Sequence, residues 1–182
     1  TVDNFRRAES HHYFGVYVAK GCFGKLCSDR GPPAVDAQNV IRMNRDTPYT
    51  AGVFDLATPL TIVKPDTGKR FQSMLVISED HYNPLVAYAP GKYTLTMENM
   101  GTRYVAVVFR TFMDPNDPAD VQADHAAQDG IQVIQANPGK FVSKPMPAST
   151  RGFGLSRASA IAASIASGSA RKTPARLVTR II

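Results

Sequence analysis

From residue 31 onward, short apolar runs alternate with turn residues, and this pattern restricts the fold more than any other feature of the chain. Seven runs predict strands, at residues 39–44, 51–56, 60–63, 71–77, 84–88, 93–97 and 103–112. Turn residues separate them at intervals of about ten residues, as in Pro65-Asp66-Thr67-Gly68. Closely spaced strands without intervening helices predict a mainly β fold, an antiparallel sandwich or barrel rather than a parallel sheet.

Two of these runs are apolar on both faces, which is not expected of a strand with one side in water. They are residues 74–77 (Met-Leu-Val-Ile) and 104–109 (Tyr-Val-Ala-Val-Val-Phe). Residues 93–97 instead alternate between polar and apolar side chains, as a strand with one wet face should. We therefore predict that residues 74–77 and 104–109 form the central strands and are covered on both sides.

An N-terminal helix is predicted at residues 2–20, because apolar residues recur there with a period of about 3.6. The predicted apolar face consists of Val2, Phe5, Tyr13, Val16 and Tyr17. Gly21 and Gly24 then supply a stop. His11 and His12 are adjacent and point about 100° apart on a helix, so we interpret them as ordinary surface or half-buried histidines.

A second helix is predicted near residues 118–135. Asp117 is placed to cap it and Pro118 to occupy its first turn. One stripe of the helix, which we expect to pack on the sandwich, contains Val121, His125, Gln128, Ile131 and Ile134. On this stripe, His125 is expected to have a hydrogen-bonded packing role rather than a catalytic one.

Cys22 and Cys27 lie five residues apart. A disulfide between them would fit an oxidising compartment, but we favour two reduced thiols beside a helix end. The spacing is not that of a zinc half-site, and the chain has no second cysteine pair. The sequence therefore predicts neither a metal site nor a cofactor.

The last part of the chain, residues 142–182, differs in kind from the rest. It contains no acidic residue and carries seven basic ones, whereas the preceding part sums to about −1 of the net charge of +6. A cationic disordered tail that meets nucleic acid or membrane, a segment of a larger missing fold, and out-of-frame translation remain open, and we favour the last. We therefore predict a single domain at residues 1–141, and a largely disordered tail after it.

No apolar run approaches the roughly 18 residues that span a bilayer, so no membrane span is predicted. The chain also lacks an initiator Met and a signal-peptide pattern. We expect its start at Thr1 to be a fragment end or a processing site.

The densest polar segment comprises residues 42–49 and follows a predicted strand. Its candidate catalytic residue is Asp46. The candidate ligand-binding residues are Arg42, Asn44, Arg45 and Tyr49 of this segment, together with Arg103 from a later strand. An Arg/Asn/Asp cluster could hold a carboxylate or phosphate at the rim of the sandwich. The plainer alternative, which we favour, is a salt-bridged turn whose Asp46 or Thr47 side chain caps the backbone.

A second polar segment follows the most hydrophobic predicted strand. Its candidate catalytic residues are Glu79, Asp80, His81 and Tyr82. Two carboxylates, an imidazole and a phenol could act as a general acid and base, although a polar loop is the favoured interpretation. Arg103 and Arg110 flank the last long strand and could pair with these carboxylates. Aromatic and basic residues are not interleaved in the strands, which argues against an RNA-reading sheet.

Five segments carry a resemblance to a known family: VDNFRRAE at residues 2–9, VIRMNRDTPY at 40–49, VFDL at 53–56, EDHY at 79–82 and GTRY at 101–104. In order and spacing they resemble bacterial domain-of-unknown-function family 1254, over about residues 1–141. The resemblance implies a jelly-roll-like β-sandwich, frequently in an exported or periplasmic protein, and often a companion domain of unknown function numbered 1214. It implies no established activity.

The resemblance stops after Lys140, where members of the family tend to continue with an acidic, aromatic-containing helical segment. If the domain needs that segment to cover a sheet face, we expect this chain to expose an apolar patch or a strand edge. Such a surface would make an oligomer possible.

Three functions follow from these observations. The favoured one is a binding or scaffold module of an exported bacterial protein, with an unidentified small molecule or protein as its partner. The alternative is a hydrolase-like enzyme that combines residues 44–46 with residues 79–82, which requires both segments to meet in one pocket. A weaker alternative is nucleic-acid binding through the basic tail.

Overall fold

The structure, a computed structural model, describes residues 2–36 and 44–142. Its elements in chain order are α1 (Val2–Ala19), β1 (Cys27–Ser28), β2 (Tyr49–Asp55), β3 (Leu60–Lys64), β4 (Gln72–Ser78), β5 (Leu85–Ala87), β6 (Gly91–Leu95), α2 (Met97–Met100), β7 (Tyr104–Thr111), α3 (Pro118–Asp129) and β8 (Gln132–Gln135). The predicted strand at 39–44, the predicted ligand residue Arg42 and the predicted tail beyond Val142 lie wholly or largely outside the described residues.

The described strands form two antiparallel sheets. One has five strands in the order β1-β2-β7-β4-β5, and the other has three in the order β6-β3-β8. Side chains from both sheets meet in one core, which includes Phe54, Ile62, Met74, Leu95 and Phe109. Burial of each such side chain stabilises the fold by about 1.5 to 3 kcal/mol. The predicted antiparallel sandwich with an N-terminal helix is confirmed.

Strand β7 occupies the middle of the larger sheet, between β2 and β4, and five of its first six residues are buried. This confirms the central position predicted for residues 104–109, although Val108 on the outer face is only half-buried. Strand β4 is fully buried only at alternate positions, so its second face is less completely covered than predicted. Strand β2 is buried at six consecutive positions, which the sequence did not reveal because Ala51 and Gly52 are small and weakly apolar.

Helix α1 lies on the outer face of the larger sheet, but with a different face inward from the one predicted. Phe5, Tyr13 and Val16 are exposed. The buried positions are instead Ser10, His11 and Phe14. Phe14 packs against Val53, Tyr104 and Ala106 of the sheet, and this contact decides the rotation of a helix whose apolar residues are scattered around its axis.

Helix α3 begins as predicted, because the Asp117 side chain accepts a hydrogen bond from the Ala119 N–H. It ends at Asp129, several residues earlier than predicted. Residues 132–135 form strand β8, which pairs with β3 and places Val133 opposite Ile62. Gly130 closes the helix through an N–H bond to the Ala126 carbonyl, and tertiary pairing of the β-branched residues after it overrides helix periodicity.

The buried face of α3 agrees with the prediction at Gln128, but its other buried side chain is Asp124, which was not on the predicted stripe. His125 has the packing role that was expected: its Nε2 lies 2.8 Å from the Arg30 carbonyl oxygen. Arg30 in turn pairs with Asp129 at the end of the helix.

Cys22 and Cys27 form a disulfide, so the favoured reduced state is wrong. The disulfide joins the end of α1 to β1, which pairs with β2. Beside it, the Val53 N–H donates to the Cys22 carbonyl and the Gly24 N–H donates to the Val53 carbonyl. These contacts bring the two sulfur atoms within bonding distance. A spacing of five residues does not by itself ensure this.

Candidate functional site

The turn between β4 and β5 carries the second polar segment, residues 79–82. The Ser78 N–H donates to the Tyr82 carbonyl, and the His81 N–H donates to the Ser78 carbonyl. His81 has a φ of 63°, within the left-handed region that few non-glycine residues adopt. The turn therefore directs Glu79 inward, whereas His81 and Tyr82 are exposed.

Glu79 is buried and is hydrogen-bonded to the buried His11 of α1. The His11 Nε2 lies 2.7 Å from Glu79 Oε1. The second carboxylate oxygen, Oε2, accepts the backbone N–H of Tyr104 at 3.0 Å. Both oxygens of Glu79 are thus used to join three elements, namely the turn, α1 and β7.

Asp80 continues this connection at the surface. The guanidinium of Arg7, one helical turn before His11, donates to both Asp80 carboxylate oxygens at 2.9 and 2.7 Å. This bidentate pair holds the pKa of Asp80 below its usual range and raises the pKa of Arg7. Arg6 adds a contact of the same kind, since its Nη1 donates to the Tyr82 hydroxyl at 3.3 Å.

Aromatic side chains cover the His11–Glu79 pair. Phe141 lies with its ring centroid 5.6 Å from that of His11 and 5.0 Å from that of Tyr104. The Tyr104 hydroxyl donates to the Lys140 carbonyl at 2.8 Å and accepts the Val142 N–H at 3.2 Å. The segment around residue 141 therefore packs over the pair and restricts the access of water to it.

Arg103 does not pair with the carboxylates of residues 79–82 or bind at the first polar segment. It donates to both oxygens of the fully buried Asp55 at 2.9 and 2.8 Å. Burial by itself raises the pKa of Asp55, but Arg103 and the backbone N–H groups of Ala57 and Lys140 lower it below the usual range. Arg103 is thus a structural partner of Asp55.

The first polar segment forms a capped turn, although the cap differs in detail from the one anticipated. The Asn44 side-chain oxygen accepts the Asp46 N–H at 3.0 Å. The Asp46 carbonyl accepts the Met113 N–H, while Arg45 and the Asp46 side chain face solvent. Tyr49 lies under a cation, since the Arg110 guanidinium sits 5.7 Å from its ring centroid.

The structure does not bring the two polar segments together. In the antiparallel register, Tyr49 pairs with Arg110 of β7, whereas Ser78 pairs with Val105. Five residues of strand separate those two positions on β7, a distance of roughly 17 Å. The single pocket that the hydrolase-like alternative required is not formed.

The described residues contain no group of three or more His, Cys, Asp or Glu side chains that could hold a metal ion. Among those residues there is also no helix long and apolar enough to cross a bilayer.

The polar cluster around Glu79 and Asp80 also contains Arg7, His11 and Tyr104, which the sequence did not indicate as site residues. Arg7 and His11 have the i, i+4 spacing that places two side chains on one helix face. That spacing was the available signal. Its meaning depends on how the helix docks, because the partners lie 73 and 68 residues further along the chain.

This arrangement defines the class of the molecule: a mainly antiparallel, two-sheet β protein with an N-terminal helix attached to one sheet through a buried His–Glu hydrogen bond. The chain belongs to the family described as Protein of unknown function (DUF1254), whose model matches residues 24–135. The family resemblance of the sequence is thereby confirmed, with the match beginning after α1.

The structure is similar to the crystal structure of the VPA0106 protein from Vibrio parahaemolyticus. The TM-score is 0.58 at 15% sequence identity, and the match covers 81% of this chain and 41% of that chain. At such identity the likeness shows the fold alone. The chain thus spans about two fifths of the length of that protein. No curated protein matches it.

Proposed function

We propose that this chain is a binding module of an exported bacterial protein and has no catalytic activity of its own. The observation that carries the proposal is that the carboxylates of Glu79 and Asp80 both serve to hold α1 and β7 together with the turn at residues 79–82. Glu79 is occupied by His11 and the Tyr104 N–H, and Asp80 is occupied by Arg7. A general acid or base needs a proton-transfer path to a substrate, and Glu79 lies buried behind aromatic rings.

One observation supports export: the Cys22–Cys27 disulfide fits an oxidising compartment. A periplasmic or secreted location is accordingly part of the proposal.

The proposal also includes a protein partner. Because more than half of the Vibrio parahaemolyticus chain lies outside the match, a related protein has room for a further domain. A companion domain of the 1214 type is the partner that the family resemblance suggests. Nothing in the described residues favours nucleic acid, since the part of the chain before the basic tail sums to about −1.

Turnover assays test this proposal. Wild type and Glu79→Gln are compared on chromogenic esters, phosphate esters and glycosides, because these report the hydrolase-like alternative. We expect no turnover by either protein above the uncatalysed rate. Turnover by wild type that Glu79→Gln abolishes, while the variant keeps its circular dichroism spectrum, would refute the absence of catalysis.

A further inference from the structure

Within residues 2–36 and 44–142, the outer face of the larger sheet is only partly covered by other elements. Helix α1 packs on Val53, Ala106 and Ile77, near one end of the strands. Toward the other end, the register places Leu75 beside Val86 and Val108, with their side chains on the same outer face. Val86 is 48% exposed, and the side chains of Leu75 and Val108 are half-buried.

Aromatic side chains continue this open face to the end of the sheet. Phe71 and Tyr88 form a tilted aromatic pair with 6.2 Å between ring centroids, and the Phe112 N–H donates to the Phe71 carbonyl. Phe71, Tyr88 and Phe112 are 46%, 65% and 45% exposed. Gln72 and Thr111, the adjoining paired residues, are buried inward, so Phe71 and Phe112 point outward by strand alternation.

Arg110 lies within this face and has no carboxylate partner among the described residues. Its Nε and Nη2 both donate to the Thr47 hydroxyl, at 3.2 and 2.9 Å, and its guanidinium lies against the Tyr49 ring. Arg7, Arg30, Arg70 and Arg103 are by contrast each paired with an aspartate. Thr47 occupies the Nε–Nη2 edge of the guanidinium, but a neutral hydroxyl does not balance its charge, so Nη1 and the charge of Arg110 can still bind an anion.

We propose that this outer aromatic face, formed by Phe71, Val86, Tyr88, Arg110 and Phe112, binds an amphipathic carboxylate. Arg110 receives the carboxylate, and the aromatic and aliphatic side chains receive the apolar body. Charge complementarity selects this ligand class over a neutral or cationic one, because Arg110 is the one charged residue among the five that form the face. The inference rests on the proposed binding function and names its ligand.

The test is a titration of the full chain with decanoate below its micellar concentration, followed by two-dimensional NMR of the backbone amides. A parallel titration with 4-phenylbutanoate distinguishes an alkyl from an aryl body. We expect saturable shifts confined to β4, β5 and β7 near the aromatic end of the face. Arg110→Met should weaken binding by roughly 10- to 100-fold, the range for a lost hydrogen bond to a charged group.

Matched controls come from the opposite end of the molecule. Tyr82 is 66% exposed and also lies under an arginine, Arg6. Tyr88→Ser should weaken decanoate binding at least several-fold, whereas Tyr82→Ser and Arg6→Met should leave it unchanged. Tyr88→Ser also covers the case in which Arg110→Met fails to fold, because Tyr88 is exposed.

Several results would overturn the proposal: no saturable shifts with either acid, equal weakening by the control variants, or equally tight binding of decyltrimethylammonium. These results are separate from those of the turnover assays. If decanoate does not bind and no turnover is seen, the proposed ligand class is wrong but the proposed binding function is not contradicted. If turnover is seen, the protein is catalytic, and the proposal that the outer aromatic face binds a carboxylate is unaffected.

Discussion

At the scale of single residues, the protein places its charged groups in two kinds of environment. Glu79 and Asp55 are buried, and every carboxylate oxygen has a donor. Asp124 is also fully buried, yet neither of its oxygens has a hydrogen-bond partner among the described residues. Burial without a partner penalises the charged form and raises the pKa of Asp124 to about 6.

This difference predicts a pH-dependent effect of Asp124→Asn. The folded pKa of about 6 lies above the unfolded value of about 3.9, so ionisation of Asp124 reduces stability as the pH rises between those values. The amide should therefore stabilise the protein at pH 8 by up to about 3 kcal/mol and leave it nearly unchanged at pH 4. Urea unfolding of both proteins at the two pH values measures this, and an equal difference at both would contradict the assignment.

At the scale of elements, short connections fix the helix and the C-terminal segment onto the larger sheet. The disulfide holds the end of α1 beside β1. Residues 137–142 pass over the end of β2 and the start of β7. There Gly139 lies against Asp55, and the Tyr104 hydroxyl donates to the Lys140 carbonyl. The spacing of the two cysteines did not reveal the disulfide, and the sequence did not reveal the contacts of Gly139 and Tyr104, because all of these depend on strands distant in the chain.

Removal of the disulfide in Cys22→Ser/Cys27→Ser should lower the free energy of unfolding by roughly 2 kcal/mol, the loop-entropy value for so short a loop. Urea denaturation measures the loss. Dithiothreitol should lower the stability of wild type by a similar amount and leave the double variant unaffected. A wild-type midpoint that is insensitive to the reductant would argue against the disulfide.

Two glycines separate the effect of backbone conformation from that of packing. Gly68 and Gly139 both have positive φ, 59° and 70°, but a Cβ at Gly68 meets open space while one at Gly139 overlaps the Asp55 carboxylate. Gly68→Ala should therefore cost about 1 kcal/mol from conformation alone. Gly139→Ala should cost clearly more in the same thermal unfolding series, and equal losses would show that the 137–142 segment does not dock on Asp55.

At the scale of the whole molecule, alternation and turn residues were sufficient to predict the sandwich, because a period of two is a local property. Strand β8 was wrongly predicted to be part of a helix. Val133 and Ile134 adopt the strand conformation because they pair with β3, and the local sequence does not show that pairing. In the candidate site, Glu79 and Asp80 were recognisable as a polar pair after an apolar strand. Their function as attachment points for α1 was not, because it requires the docked position of Arg7 and His11.

The central claim is that Glu79 and Asp80, in the turn after β4, attach α1 to the larger sheet. Hydrogen exchange of the helix amides tests this claim most directly. Glu79→Met removes both acceptor oxygens from beneath α1 at similar size, and Glu98→Met makes the same change at an exposed site. We predict faster amide exchange throughout α1 for Glu79→Met, because the free energy needed to open the helix should fall by about 2 to 4 kcal/mol. Glu98→Met should exchange like wild type. Unchanged protection of α1 in Glu79→Met would contradict the account.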